Sequence, residues 1–295
     1  KSLSIKIGNI PVGHDHEPFI CAELGINHNG SLTSAIEMIR SAKNHGATAV
    51  KFQKRNLKFS IPEDQKSQKR ETPWGVMTYL NYKKRMEFDE KQYFRISQEC
   101  VRQNLLWFAS VWDVPSVDFM SQFDPPAYKI GSATMTNLKV IERILLKKAP
   151  IIKSTGMSTM EEIEDAVTFI MEARERLILC HSTSIYPCPE DKLNLRFLTT
   201  LAKKWPYLTL GYSGHEKGTG ITQAAVALGA SYIERHFTLD STSWGTDQSS
   251  SLEPDEFDQM ARDCKSVWSA IGDGVKVVYA EEQQKKNMLR VKVHG

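Results

Sequence analysis

No apolar run in this sequence approaches the length of a membrane span, and the amino terminus has no signal-peptide core. Disulfide chemistry is equally short of material. The five cysteines, Cys21, Cys100, Cys180, Cys188 and Cys264, form no CxxC pair and are odd in number. These absences imply a cytoplasmic protein, reduced and with no membrane partner. Cys21 and Cys180 fall inside predicted strands and are expected to be small core residues. Charge of one sign is missing too: 38 Lys and Arg against 35 Asp and Glu leave a formal +3 over 295 residues, too little for a nucleic-acid footprint. Last, no GxGxxG follows the first predicted strand, which counts against a dinucleotide-binding open sheet.

What the sequence has is a regular alternation of short β-prone runs and helical patterns. Strands are expected at 19–23, 49–52, 105–109, 127–130, 151–153, 177–181, 208–210 and 231–236, with helices at 32–44, 137–147, 160–172 and 254–271 among those between them. Eight such units in a chain of this length imply an α/β protein of one domain over residues 1–295, closed as a (β/α)8 TIM barrel, with an open doubly wound sheet as the alternative. A short hairpin is expected within the amino-terminal residues 1–18, pairing 3–7 with 18–20, and a tail at 273–295. Residues 55–88 interrupt the spacing after the second strand. This stretch is lysine-rich early and carries Trp74, Tyr79 and Tyr82 late. So long a strand-to-helix connection belongs to the barrel's carboxyl rim, as a substrate lid or as a surface excursion.

Polar residues collect at that rim. They are Glu23, Asn27, His28, Lys51, Gln53, Ser110, Lys129, Ser132, Lys153, Ser154, Thr155, His181, Ser182, Thr183 and Ser184 at the ends of the first six strands. Alternation puts Lys51 with Gln53, and Glu234 with His236, on one strand face each. A lysine facing the barrel mouth needs a partner, either Glu23 or Glu234 within the protein or a bound anion. Lysines among hydroxyls suit a small phosphorylated acid.

The last βαβ unit, within 207–257, is the most informative. His215 follows one strand, His236 ends the next, Ser213 precedes the first, and Asp240 and Asp247 follow the second. Either histidine alone is accounted for by a local carbonyl. Two at corresponding ends of neighbouring parallel strands suit a divalent metal.

These residues lie in motifs that resemble the sialic acid synthase family: FICAELGINHNGSLTSAIEMIRSAKNHGATAVKFQK, AYKIGSA, STGM, HSTSIYPCPEDKLNL, GYSGHEKGTGITQAAVALGASYIERHFTLD and SLEP, collinear from about residue 19 to about residue 272. The resemblance implies a β/α barrel that condenses phosphoenolpyruvate with the open-chain aldehyde of N-acetylmannosamine, its 6-phosphate or a related hexose, and releases phosphate. It implies His215 and His236 as ligands of a divalent metal, Mn first and Mg or Co as alternatives. Lys51, Lys129, Ser132, Ser154, Ser182, Ser184 and Ser213 would hold phosphoenolpyruvate. Glu23, Lys51, Lys129 and Asp247 would be catalytic, and Gln53, Tyr186 and Asp247 would face the amino-hexose. The segment WGVMTYLNYKKRMEF resembles the subgroup that takes the 6-phosphate, which makes Lys83, Lys84 or Arg85 a candidate for that phosphate.

Departures from the pattern carry expectations of their own. Thr134 stands where the family has an acidic residue after GSA, so Glu23 would have to handle its proton. SVWD replaces an STPF-like strand end, bringing Val111, Trp112 and Asp113, the last either a replacement carboxylate or a helix cap. Trp244 adds bulk near the sugar. Because the chain stops soon after Val293, the antifreeze-like domain that many members carry, and that lends an arginine to a partner's active site, is expected to be missing, and a homodimer is kept as a candidate assembly. Two other readings compete: a pyruvate aldolase using Lys129 or Lys153 as a Schiff base, and a non-catalytic ligand-binding homologue.

Overall fold

The computed structural model describes residues 5–291. Eight parallel strands close into a barrel: β1 (Phe19–Gly25), β2 (Ala49–Lys54), β3 (Leu106–Val111), β4 (Tyr128–Ile130), β5 (Ile151–Ser154), β6 (Leu177–His181), β7 (Thr209–Gly214) and β8 (Tyr232–His236). They pair in chain order, and β8 closes on β1 with His236 opposite Glu23. This is the TIM barrel expected from the alternation. The helices predicted at 32–44 and 254–271 occupy Leu32–Asn44 and Pro254–Ile271.

β7 runs four residues beyond its predicted end at 210. Its Gly-Tyr-Ser-Gly sequence resembles a turn, but Tyr212 and Ser213 pair with Ile233 and Glu234 of β8. The strand therefore delivers His215 directly to the rim.

The hairpin corrects its prediction. Ile5–Ile7 pairs with Ile10–Val12, not with 18–20, because Gly8, at φ 62°, and Asn9 close a two-residue turn between them. Residues 18–20 are left free to begin β1. Leu3, predicted as part of the hairpin, and residues 292–295 of the tail lie outside the described residues.

Strand alternation sorts the barrel interior into two layers. Towards the amino ends, Phe19, Cys21, Ala49, Phe108, Ala127, Ile152, Ile178, Cys180 and Tyr232 pack with hairpin residues Ile5, Ile7 and Val12 in one apolar cluster. The hairpin thus plugs the barrel floor, and Cys21 and Cys180 are buried, unpaired core residues. One inward position higher, the strands and, for Ser182, the residue just after β6 present Glu23, Lys51, Ser110, Lys129, Ser154, Ser182, Ser213 and Glu234, all buried. Outward residues pack beneath the helices in the larger core.

The 55–88 connection has structure of its own. It holds short helices at Leu57–Ser60, Glu63–Lys66 and Tyr79–Met86 and a ladder joining Lys69–Arg70 to Met77–Thr78. An aromatic latch ties it to the loop after β8. Trp244 meets Trp74 and Tyr82 edge-on, with centroids 5.6 and 5.5 Å apart, and the Arg85 guanidinium lies 3.9 Å over the Trp74 ring.

Candidate active site

Every barrel strand or the loop after it contributes to a cavity of about 240 Å³ at the carboxyl mouth. Its wall includes Glu23, Lys51, Gln53, Lys129, Ser132, Ser154, Ser182, Tyr186, Ser213, His215, His236 and Asp247, so all but one of the site residues expected from sequence meet there. The exception is Ser184. It lines an adjoining chamber behind Gly156.

The floor is a buried ionic network. Lys51 Nζ lies 2.6 Å from Glu23 Oε2 and 3.4 Å from Glu234 Oε1, and donates to Ser110 Oγ at 2.6 Å. Lys129 Nζ donates to Glu234 Oε2 at 2.7 Å, and the Tyr232 hydroxyl donates to the same oxygen at 2.7 Å. Burial alone would lower the Lys51 pKa, but the Glu23 and Glu234 carboxylates outweigh it and raise the pKa. Glu234 is the mirror case: burial pushes its carboxyl up, and Lys129 and Lys51 bring it below the usual carboxylate range. Lys51 stays charged, and both carboxylates anticipated as lysine partners are used.

Two more cations come from the 55–88 connection. Lys83 is buried over the Tyr79 and Tyr82 rings at 5.4 and 5.2 Å and has no carboxylate or hydrogen-bond partner among the described residues. Arg55 stacks 3.3 Å above the Trp112 ring and donates to Gln53 Oε1 at 3.1 Å. Lys84 and Arg85 point elsewhere: neither lines the cavity, and both are exposed.

At the rim the His215 and His236 rings lie 5.4 Å apart. His215 Nδ1–H donates to the Thr183 carbonyl at 2.7 Å, which leaves Nε2 with its lone pair. Burial, followed by the His236 ring, lowers the His215 pKa to about 3 and keeps it neutral. His236 Nδ1 is buried without a hydrogen-bond partner, and Asp247 Oδ2 stands 3.7 Å from it. Among the described residues no three His, Cys, Asp or Glu side chains converge as a ligand set. Two open imidazoles with a carboxylate close by nonetheless fit a divalent ion that completes its shell with water and substrate oxygens.

Several polar rim residues prove structural. Asn27 donates to the Phe237 carbonyl and to Ser251 Oγ, and His28 accepts from the Gly30 amide while stacking on Phe88. Thr134 spends its hydroxyl on the Gly131 carbonyl at 3.1 Å and does not line the cavity. Asp113 caps the helix Val114–Ser121 through Ser116 and accepts from the Asn56 amide, so it replaces no missing carboxylate. Asp240 folds back on Thr242. Lys153 donates to the Met135 carbonyl at 2.7 Å, fully buried away from the cavity. Burial lowers its pKa to about 7, within reach of Schiff-base chemistry, yet its amine does not line the cavity.

With this geometry in place, the sequence profile of the NeuB family matches residues 38–276. The chain belongs to the NeuB family.

Among its relatives, the human N-acetylneuraminate-9-phosphate synthase is 36% identical over 269 residues, 90% of this chain and 74% of that protein. The N,N'-diacetyllegionaminic acid synthase of Campylobacter jejuni is 34% identical, across 92% of this chain and 82% of the relative. The solved N-acetylneuraminic acid (sialic acid) synthetase of Leptospira borgpetersenii, in complex with citrate, superposes with a TM-score of 0.88 at 33% identity and covers 99% of each chain. Membership makes this NeuB-family chain an enzyme of the sialic acid synthase type. None of its described helices is long and apolar enough to cross a membrane.

Sequence reasoning passed over Arg55 as a site residue and weighed Glu234 only as a lysine partner. The signal for Glu234 was present, since it shares a strand face with His236. Arg55 gave none, because only the folded connection brings it back over Trp112.

Proposed function

We propose that this enzyme condenses phosphoenolpyruvate with the aldehyde of a mannosamine-type sugar, releasing phosphate and leaving a sialic acid or a close relative. The observation that carries this reading is one cavity holding, in depth order, a lysine-bearing floor, a collar of serines, and a histidine pair at the mouth. In the reaction, carbon three of the enol attacks the aldehyde carbon and forms the C–C bond, while the aldehyde oxygen takes up a proton. Water then adds to carbon two, and the tetrahedral centre collapses as the C–O bond to phosphate breaks with its electron pair on phosphate. Lys51 and Lys129 hold the carboxylate and phosphoester oxygens, assisted by Ser132, Ser154, Ser182 and Ser213. Glu23, fixed by Gln53 Nε2 at 3.0 Å, takes the proton of the adding water, because Thr134 has no part in the cavity. Tyr186 and Asp247 face the sugar. His215 and His236 hold the divalent ion, with Mn as the first choice, and the chemistry such an ion supplies is Lewis-acid polarisation of the aldehyde.

The sugar is proposed to carry a 6-phosphate, seated between Lys83 and Arg55, the two cavity cations that lack a carboxylate. Burial, and then Arg55, lowers the Lys83 pKa to about 7. Its positive charge is therefore lost as pH rises through that value, while a phosphate monoester, with a second pKa of about 6, stays dianionic. The KM for the phosphorylated sugar should rise from pH 7 to 9, and Lys83→Met should flatten that profile. A wild-type profile already flat over this range would remove Lys83 from the subsite.

Gly156 tests the serine collar. A Cβ there would collide with Ser184 Oγ and lie 2.5 Å from Ser132 Oγ. Gly156→Ala should raise the KM for phosphoenolpyruvate about tenfold, equivalent to about 1.4 kcal/mol, with little change in melting temperature. An unchanged KM would place the phosphoester elsewhere.

The reaction itself is tested by phosphate release from phosphoenolpyruvate with Mn, one sugar at a time, using His215→Ala as control. Release that depends on a mannosamine-type sugar and disappears in the variant is expected. Folded, Mn-binding protein that releases none with any sugar would refute the assignment.

A further inference from the structure

A second chamber, of about 530 Å³, lies beside the cavity between the loops that follow β5 and β6. It is walled by Thr155, His181, Ser184 and Lys192, and it shares Met157 and Ser182 with the cavity. Resting on the reaction proposed above, we infer that this chamber is a holding site and exit route for the inorganic phosphate product. The partition is thin. The space where a Gly156 Cβ would sit is bounded by both Ser132 Oγ of the cavity and Ser184 Oγ of the chamber, and Met157, held at φ 56°, is exposed next to it.

Depth creates the need for such a route. Lys51 and Lys129 lie at the floor, only 2% and 1% exposed, whereas Tyr186 and Asp247 sit at the mouth. Phosphate is released beneath a sugar acid that fills the mouth, so departure upward must wait for the larger product. A lateral opening removes that wait.

One acceptor in the lining, beside hydroxyls that would serve either anion, fits inorganic phosphate better than a phosphoester. Ser182 Oγ, Ser184 Oγ and His181 Nδ1 are buried and without partners, although Ser182 and His181 are only 6% and 4% exposed. The hydroxyls donate to phosphate oxygens. His181 Nε2–H donates to the Leu193 carbonyl at 2.6 Å, so Nδ1 is an acceptor in need of a donor. The dianionic phosphoester has no O–H to give, whereas inorganic phosphate near neutral pH always has one. Burial lowers the His181 pKa and keeps Nδ1 in this acceptor form. At the outer edge Lys192 is exposed and makes no ion pair among the described residues, so it attracts the anion outward.

The test compares two rates in a single turnover: sugar-acid formation by rapid quench, and phosphate appearance by a fluorescent phosphate sensor. Met160→Trp fills the chamber, and Lys192→Glu reverses the charge at its edge; neither residue lines the cavity. Both variants should form product at the wild-type rate yet release phosphate at least tenfold more slowly, and Lys192→Arg should behave as wild type. Phosphate that keeps pace with product in both variants would overturn the route. A wild type that makes no product defeats the reaction assignment instead, and an equilibrium measurement then decides the chamber alone. Inorganic phosphate should raise the melting temperature of the wild type more than that of Lys192→Glu, and equal shifts would overturn the site.

Discussion

Lys129→Met is expected to reduce kcat/KM for phosphoenolpyruvate by about 30-fold to several thousand-fold. Lys129 is 1% exposed, and its Nζ sits 2.7 Å from Glu234 Oε2. Removing one member of a buried, hydrogen-bonded charge pair costs about 2–5 kcal/mol, most of it from the charge left behind. Glu234 would retain the Tyr232 hydroxyl and Lys51 at 3.4 Å, so the network loosens without collapsing. The substrate loses an anchor, and the remaining carboxylate now repels it. The second effect separates this prediction from simple loss of a contact: Lys129→Met/Glu234→Gln should recover part of the affinity. Initial rates of phosphate release at varied phosphoenolpyruvate measure both variants, and a single variant with unchanged KM and kcat would place the substrate away from β4.

The largest loss of stability is expected at a residue that touches no substrate. Arg235 and Glu216, both fully buried, face each other at 3.1 Å, and each is the sequence neighbour of one of the two histidines. Arg235 also donates to Thr222 Oγ1 and the Gly218 carbonyl, and the Tyr212 hydroxyl donates to Glu216 Oε2. The ion pair clamps the end of β7 to the end of β8, which sets the separation of the imidazoles. Arg235→Met strands a buried carboxylate and should cost about 3–5 kcal/mol, a large share of a typical stability of about 5–15 kcal/mol. Adding Glu216→Gln should restore much of it. Urea unfolding measures both variants, and a loss below about 1 kcal/mol in the single variant would contradict a structural role for the pair.

The contrast between these residues explains how much of the protein was legible beforehand. Barrel closure followed from eight apolar runs with helices between them, because strand and helix periods are local properties of the chain. The histidine pair and the lysines were legible for a related reason: parallel strands bring their carboxyl ends together whatever the loops do. The hairpin failed on a turn signal, Gly8-Asn9, that was locally present but outweighed by the β-prone run at 18–20. Arg55 went unread, and Lys83 could be read only as one of three neighbouring candidates. Only Lys83 of the three basic residues at 83–85 lines the cavity, and that choice depends on how Tyr79–Met86 packs, which periodicity over eight residues does not fix. Thr134 and Asp113 were legible as departures, but their hydrogen bonds to Gly131, Ser116 and Asn56 had to be seen before either could be removed from the chemistry.

The aromatic latch has a bearing on heat sensitivity. Ile26, Tyr82 and Met86 form a cluster of their own, joined by Met77, Tyr79 and Trp244 and separate from the cores of the barrel. A few aromatic contacts, each worth about 0.5–1.5 kcal/mol, hold it together with the Asn29 side-chain amide, which donates to the Trp244 carbonyl at 2.9 Å, and the Arg85 guanidinium over Trp74. It is therefore expected to open as a unit below the cost of global unfolding. On warming, turnover should fail while the barrel's circular dichroism is still native, and cooling should bring it back. The enzyme's working ceiling is then set by the grip of one tryptophan and not by the melting of the scaffold beneath it.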